Sequence, residues 1–158
     1  MKSGLVFILG LVAILRMGVA EQGDLVQLRS ATGQFQNPGE AEAAGYNPMT
    51  GLVQCNADLG GAGTEYINVG LIDTTVDLLQ PEAMIYIPGP NGTLQLGAVE
   101  YIVPVAAWNA THTAEWPHIM GQQFHLNSIR GIYILHVWVW SDNPSGVFED
   151  WNPNVACA

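Results

Sequence analysis

A chain of 158 residues, 49% of them hydrophobic and 11% charged, is long enough for one domain with a real core and short for two. Four basic residues stand against 14 acidic ones, a formal net charge of −10, so nucleic acid and anionic lipid are poor partners and none is expected.

The chain opens on "MKSGLVFILGLVAILRMGVA". A basic Lys2 precedes an apolar run from Leu5 to Leu15, and small residues Gly18 and Ala20 occupy the minus-three and minus-one positions of a cleavage site. This reads as a secretory signal peptide over residues 1–20, with residues 21–158 as a single secreted or periplasmic domain. Arg16 interrupts the pattern and keeps an uncleaved anchor open as the alternative, although the run is short for a membrane span. Cleavage removes Lys2 and Arg16 and leaves Arg29 and Arg130 against all 14 acids, a formal −12; no membrane association is expected after it. Cys55 and Cys157 are the only cysteines. In an oxidising compartment they are expected to pair, closing a loop of about 100 residues.

Next, "GDLVQLRSATGQF" offers Asp24 as an N-cap, with Leu25, Leu28 and Thr32 at helical spacing. "NPGEAEAAGY" supplies Asn37 as a cap, Pro38 at the first helical position and Gly45 as a stop. From Cys55 onward, short runs rich in Val, Ile, Tyr and Trp alternate with Gly, Pro, Asn and Asp, the pattern of strands and turns. Strands are expected at "TEYINV" (64–69), "AMIYIP" (83–88), "LQLGAVEYIVP" (94–104) and "IYILHVWVW" (132–140). Asn91-Gly92 predicts a type I′ hairpin turn between the second and third. Residues 105–131 are expected to be a long connection shaping the mouth of a pocket. The predicted class is α+β: short N-terminal helices packed on a curved antiparallel β-sheet or small β-barrel.

Three polar groups interrupt these runs. Glu100 lies mid-strand in "GAVEYIVP", on the face shared by Ala98 and Ile102; His136 lies in "IYILHVWVW", on the face expected to carry Trp138 and Trp140; Glu65 lies in "TEYINV". A carboxylate or imidazole there is costly unless paired, hydrogen-bonded or bound to a ligand. If the strands are neighbours, Glu65, Glu100 and His136 converge. One histidine and two carboxylates suit a divalent metal ion such as Fe(II), Mn(II) or Zn(II), and the same groups without metal suit acid–base chemistry. Trp138 and Trp140 would add an aromatic wall for a small ligand, with Trp108, Trp116 and Trp151 as further contributors; core packing explains tryptophans equally well. Likewise, Glu100 on a solvated face and His136 as a satisfied core residue are the plainer readings of those two. His112, His118 and His125 match no compact metal spacing. Asn91 and Asn109 fit glycosylation sequons. No GxSxG, P-loop, dinucleotide-binding or HExxH signature occurs.

The segments "AEAAGYNP", "GGAGTEYINVGLID", "PEAMIYIP", "LGAVEYIVP" and "IYILHVWVWSDNPSGVFEDWNPNVAC" together resemble a family of secreted, largely bacterial proteins of uncharacterised activity, over most of residues 30–157. The specific part is the tail, LHVWVW followed by NPSGVFEDWNP and a cysteine. Where that family's pattern has a histidine, this chain has Glu65, so the resemblance implies a polar position there and speaks against a His-rich metal site. It implies no activity. The expectation is therefore a domain binding a small molecule or metal ion through Glu65, Glu100, His136, Trp138 and Trp140. A metal-dependent extracellular enzyme using the same pocket, or a subunit of an extracellular assembly, are the alternatives.

Overall fold

The computed structural model describes residues 18–50, 55–112 and 115–157. Most of the predicted signal segment lies outside these residues. Helix α1 spans Val19–Thr32, so Asp24 is interior and not the expected N-cap. The helix starts instead at Gly18, whose N–H donates to Glu21 Oε2 at 3.1 Å, a carboxylate answering an otherwise orphaned amide at the positive end of the helix. A single turn of 3₁₀ helix (Gly33–Phe35) follows. Helix α2, Pro38–Ala43, has the expected cap: Asn37 Oδ1 accepts from Gly39 N at 2.9 Å. It ends at Gly45, with φ +93°, the left-handed conformation that commonly stops a helix.

The remainder is mostly strand. Six strands form one antiparallel sheet in the order β1 (Asn47–Pro48), β4 (Thr64–Ile67), β5 (Ala83–Pro88), β6 (Leu94–Pro104), β10 (Ile132–Val137) and β9 (His125–Asn127). The sheet has two ends and is open, which decides against the barrel alternative. Two minor ladders pair β2 (Cys55–Asn56) with β3 (Gly60–Gly61), and β7 (His118–Ile119) with β8 (Gln122–Gln123). The expected long connection over 105–131 therefore holds helix α3 (Val105–Thr111), the β7–β8 hairpin and edge strand β9.

Strands β5 and β6 have the predicted bounds, but β4 stops two residues early and β10 three. At the end of β10 the cause is a tight turn: Val139 N–H donates to the Val137 carbonyl at 2.8 Å, while Trp138 N–H donates to Val147 O at 2.8 Å. The ladder partner has changed, so alternation fails beyond Trp138. Opposite it, Gly97 is an extra residue between the pairs Ile85–Ala98 and Tyr86–Leu96, a bulge whose carbonyl accepts from both Trp140 N (3.1 Å) and Ser141 N (2.9 Å).

The β5–β6 hairpin has a different turn from the one expected. Gly92 N–H donates to Gly89 O at 3.0 Å and Gly89 N–H to Thr93 O at 2.7 Å. Gly92 has φ +74°, whereas Asn91 keeps negative φ. This is a type I turn, with Pro90 supplying its preferred φ, closed by a left-handed glycine, and not a type I′ turn. A Cβ added at Gly92 would meet nothing within 4 Å, so the requirement is purely conformational. Gly92→Val is accordingly expected to cost about 1–2 kcal/mol and Gly92→Asn much less. Equal melting temperatures for the two variants would contradict this.

The helices cover one face of the sheet. Leu28 of α1, Ala41 of α2 and Trp108 of α3 pack with Tyr66, Met84, Tyr86, Val99, Tyr101, Tyr133, Leu135 and Val137, all buried. The opposite face carries two smaller apolar clusters. One joins Ile67, Ala83, Ile102 and Ile134, and the other Ile85, Ile87, Ala98, Trp138 and Val155. The C-terminal segment lies across this second face. Gly61 N–H donates to Val155 O (3.0 Å) and Asn152 N–H to Gly61 O (2.9 Å). That approach needs glycine: a Cβ on Gly60, itself at φ +99°, would fall 2.6 Å from Pro153 Cα. Cys55 and Cys157 form the expected disulfide, Cα–Cα 5.3 Å, and tie the chain's end to β2.

Candidate functional site

The polar groups lie among the two apolar clusters of the second face. Glu100 on β6 is the direct cross-strand partner of His136 on β10, and on its other side faces Ala83 of β5. Glu65 on β4 pairs with Ile85, itself opposite Ala98. Ala83 and Ala98, both small, leave space beside Glu100 that larger side chains would fill. Ala62, ahead of β4, and Trp151 of the C-terminal segment complete the walls. The result is a cavity of about 290 Å³ that admits Glu65, Glu100 and His136 together with Arg130 and Asp150. Its rim is the β9–β10 turn, where Ile129 is 97% exposed.

Glu100 is fully buried and His136 is 4% exposed. Neither carboxylate oxygen of Glu100, and neither ring nitrogen of His136, has a hydrogen-bond partner within the protein. The imidazole is bracketed: Nε2 lies 4.0 Å from Glu100 Oε1, and Nδ1 lies 3.3 Å from Asp150 Oδ1, close enough for ion pairing but without hydrogen-bond alignment. Asp150 Oδ1 also accepts from His125 Nδ1 at 3.2 Å when that nitrogen is protonated. Glu65 is differently placed. Arg130 Nη1 and Nη2 donate to its two oxygens at 3.3 and 3.1 Å, a bidentate pair.

These surroundings set the protonation states. Burial pushes the Glu100 carboxyl well above the ordinary carboxylate range against the attraction of His136, with repulsion from Glu65 and Asp150 adding to burial and Arg130 opposing it. Burial disfavours charge on His136, but Glu100 and Asp150 outweigh it and raise the imidazole above its ordinary value. Asp150 is pushed up by burial and pulled down further by His136 and His125, ending below the usual range. The site thus holds its proton on the Glu100–His136 pair and keeps Asp150 ionised.

All three polar residues singled out in the sequence, Glu65, Glu100 and His136, line this cavity. The expected aromatic wall does not. Trp138 shares the His136 face but is 2% exposed, packs with Ile85, Ile87, Ala98 and Val155, and donates its indole N–H to Glu149 O at 2.6 Å. Trp140 lies on the opposite, helix-covered side, because the turn at Val139 breaks the alternation. There its indole N–H donates to Thr32 Oγ1 at 2.9 Å, with the Arg29 guanidinium 5.2 Å from the ring centroid. The tryptophan of the cavity is Trp151. Trp108 stacks on His112 at 3.7 Å, and Trp116 sits against Tyr133, both away from the cavity. The three-residue metal shell is likewise not assembled: Arg130 occupies both oxygens of Glu65, and among the described residues no three His, Cys, Asp or Glu side chains are grouped to hold a metal ion.

Arg130 and Asp150 are the functional candidates that strand patterns did not single out. Arg130 had one available signal, since it is one of only two Lys or Arg residues after residue 20 and a chain with buried acids needs a cation. The described helices include none long and apolar enough to cross a membrane. Comparison with protein-family models, with curated proteins and with solved structures finds no match to this chain.

Proposed function

We propose that the protein binds a small molecule in the cavity over Glu100 and His136. One observation carries this reading: two buried, titratable side chains that line the cavity, Glu100 and His136, leave their four polar atoms with no hydrogen-bond partner in the protein, although His136 Nδ1 lies within ion-pairing distance of Asp150. Buried polar groups are otherwise nearly always paired, and leaving one unpaired costs about 1–3 kcal/mol. A sheet face could fill these positions with apolar residues, as Ile102 and Ile134 do beside them. The volume of about 290 Å³ is near the lower end of ligand pockets, roughly 300–1,000 Å³, and favours a small ligand. The Cys55–Cys157 bond supports a secreted or periplasmic setting, where disulfides persist. A metal-dependent enzyme has weaker support, because the carboxylate needed as third ligand is engaged by Arg130.

A library of small polar fragments, followed by NMR on the Ile134 methyl and Trp151 indole signals, tests this. Binders are expected to shift both signals. His136→Ala is expected to weaken them about tenfold or more, a charge-assisted hydrogen bond being worth roughly 1.5–3 kcal/mol, while the domain stays folded. His136→Phe is expected to do the same. If binding survives His136→Phe unchanged, the imidazole is a core filler and the site reading fails.

A further inference from the structure

We infer that the cavity selects a small organic cation, a primary ammonium carrying an apolar group, with the ammonium on Glu100 and the apolar part against Trp151, Ile129 and Ile134. This rests on the small-molecule reading above and names its ligand class.

The charge balance of the cavity comes first. Three carboxyl groups face it, Glu65 from β4, Glu100 from β6 and Asp150 from the C-terminal segment, against Arg130 from the β9–β10 turn and His136 from β10. Arg130 is matched to Glu65 through two hydrogen bonds. Two carboxyl groups then share one imidazole, so once Glu100 is ionised the site carries one uncompensated negative charge even with His136 protonated. His125 approaches Asp150 from outside and is exposed to solvent. Glu82, immediately before β5, is a further buried carboxyl near Glu100, with burial raising it to about 7. The chain as a whole is strongly acidic, which draws cations and repels anions.

Hydrogen-bonding capacity agrees with charge. An ionised Glu100 is acceptor-only, and both of its oxygens are without a donor. An ammonium brings three donors and one charge, and so supplies what an alcohol or a carboxylate cannot. The wall also offers apolar side chains, Ala62, Ile129, Ile134 and Trp151, and a tryptophan face attracts cations.

Protonation gives the inference a signature. An ammonium on Glu100 requires the carboxylate form. Burial makes Glu100 hold its proton above the ordinary carboxylate range in the free protein, so one proton must leave as the cation binds. Affinity is therefore expected to rise with pH by about tenfold per unit over the range in which that carboxyl titrates.

Phenethylamine, 2-phenylethanol and phenylacetate, nearly equal in shape and differing in charge, serve as probes, titrated into the full domain between pH 5 and 8 with the Trp151 and Ile134 signals as readout. Phenethylamine is expected to bind at least tenfold more tightly than 2-phenylethanol at pH 8, to lose that advantage by pH 5, and to lose it at every pH in Glu100→Gln. If 2-phenylethanol binds as tightly as phenethylamine at pH 8, or phenylacetate binds tightest, the cation inference is overturned while the small-molecule reading stands. If none of the three binds, the cation inference is overturned, and the fragment library tests the broader reading separately. Should Glu100→Gln fail to fold, the wild-type comparison of amine and alcohol across pH decides alone.

Discussion

Replacing Cys55 and Cys157 together by serine is expected to lower stability by about 2–5 kcal/mol, with a fall in melting temperature on the order of 10 °C. The disulfide joins residues 102 apart in sequence, and long loops lose the most conformational freedom in the unfolded chain when closed. In the folded state it pins residues 152–157, whose other ties include the amide–carbonyl pairs of Gly61 with Asn152 and Val155 and the packing of Val155 against Ile85, Ile87, Ala98 and Trp138. Loss of the bond should therefore act unevenly. Hydrogen exchange at Gly61 and Val155 is expected to accelerate most. The Trp138 indole bond to Glu149 and the Asn143 side-chain bond to Trp151 O should keep the wall of the cavity in place. An unchanged melting temperature, or uniform acceleration of exchange over the whole sheet, would contradict this division.

The uneven visibility of the fold in the sequence has physical causes. Local signals that depend on one residue's backbone chemistry were dependable: Asn37-Pro38 starts α2, Gly45 stops it, and the strands of the β5–β6 hairpin have the bounds their apolar runs predicted. Within that hairpin, Asn91-Gly92 marked the right place but the wrong turn, because Pro90 ahead of it favours a type I turn and leaves only Gly92 with positive φ. Asp24 misled for the converse reason: an N-cap residue is also tolerated inside a helix, and the true start at Gly18 has no side chain to announce it.

The site divides in the same way. Period-two alternation gave Glu100 and His136 each its own face-mates, Ala98 and Ile102 for the one and Trp138 for the other, and only the strand register makes the two cross-strand partners on one face. It failed for Trp140, since the turn at Val139 lies past the end of the strand, where alternation no longer dictates direction. Arg130 enters from the β9–β10 turn, 65 residues from Glu65, and Asp150 from the C-terminal segment that folds back over the sheet. No local period encodes such an approach. What the sequence did contain was the need for it: three ionisable groups in runs too apolar to leave them unpartnered.

Stability is expected to be greatest near pH 4–5 and to decline toward pH 8, the reverse of the usual neutral optimum. Glu82 contributes most clearly. It is 3% exposed, and its Oε2 accepts from Ile102 N at 2.9 Å, replacing the ladder bond that β5, beginning at Ala83, cannot supply. Burial pushes its carboxyl up to about 7 from 4.5, against the Ile102 hydrogen bond, with Asp73 and Glu100 adding repulsion. Because the folded value lies above the unfolded one, the native state binds the proton more tightly. The resulting stabilisation is complete below about pH 4.5 and is lost as pH rises toward and through 7, a change on the order of 3 kcal/mol. Glu100 and His136, also raised, add in the same direction over their own ranges. Asp150, lowered by the two histidines, acts oppositely: its contribution is present above about pH 4 and lost in stronger acid, which sets the lower limit of the window. Glu82→Gln keeps an acceptor for Ile102 without the charge. It is expected to be more stable than the wild type at pH 8, by as much as about 3 kcal/mol, and to differ little at pH 5. Urea unfolding at the two pH values decides between this and the alternative. If the wild type is more stable at pH 8 than at pH 5, or if Glu82→Gln brings no gain at pH 8, the buried carboxyls on this sheet are compensated in some other way.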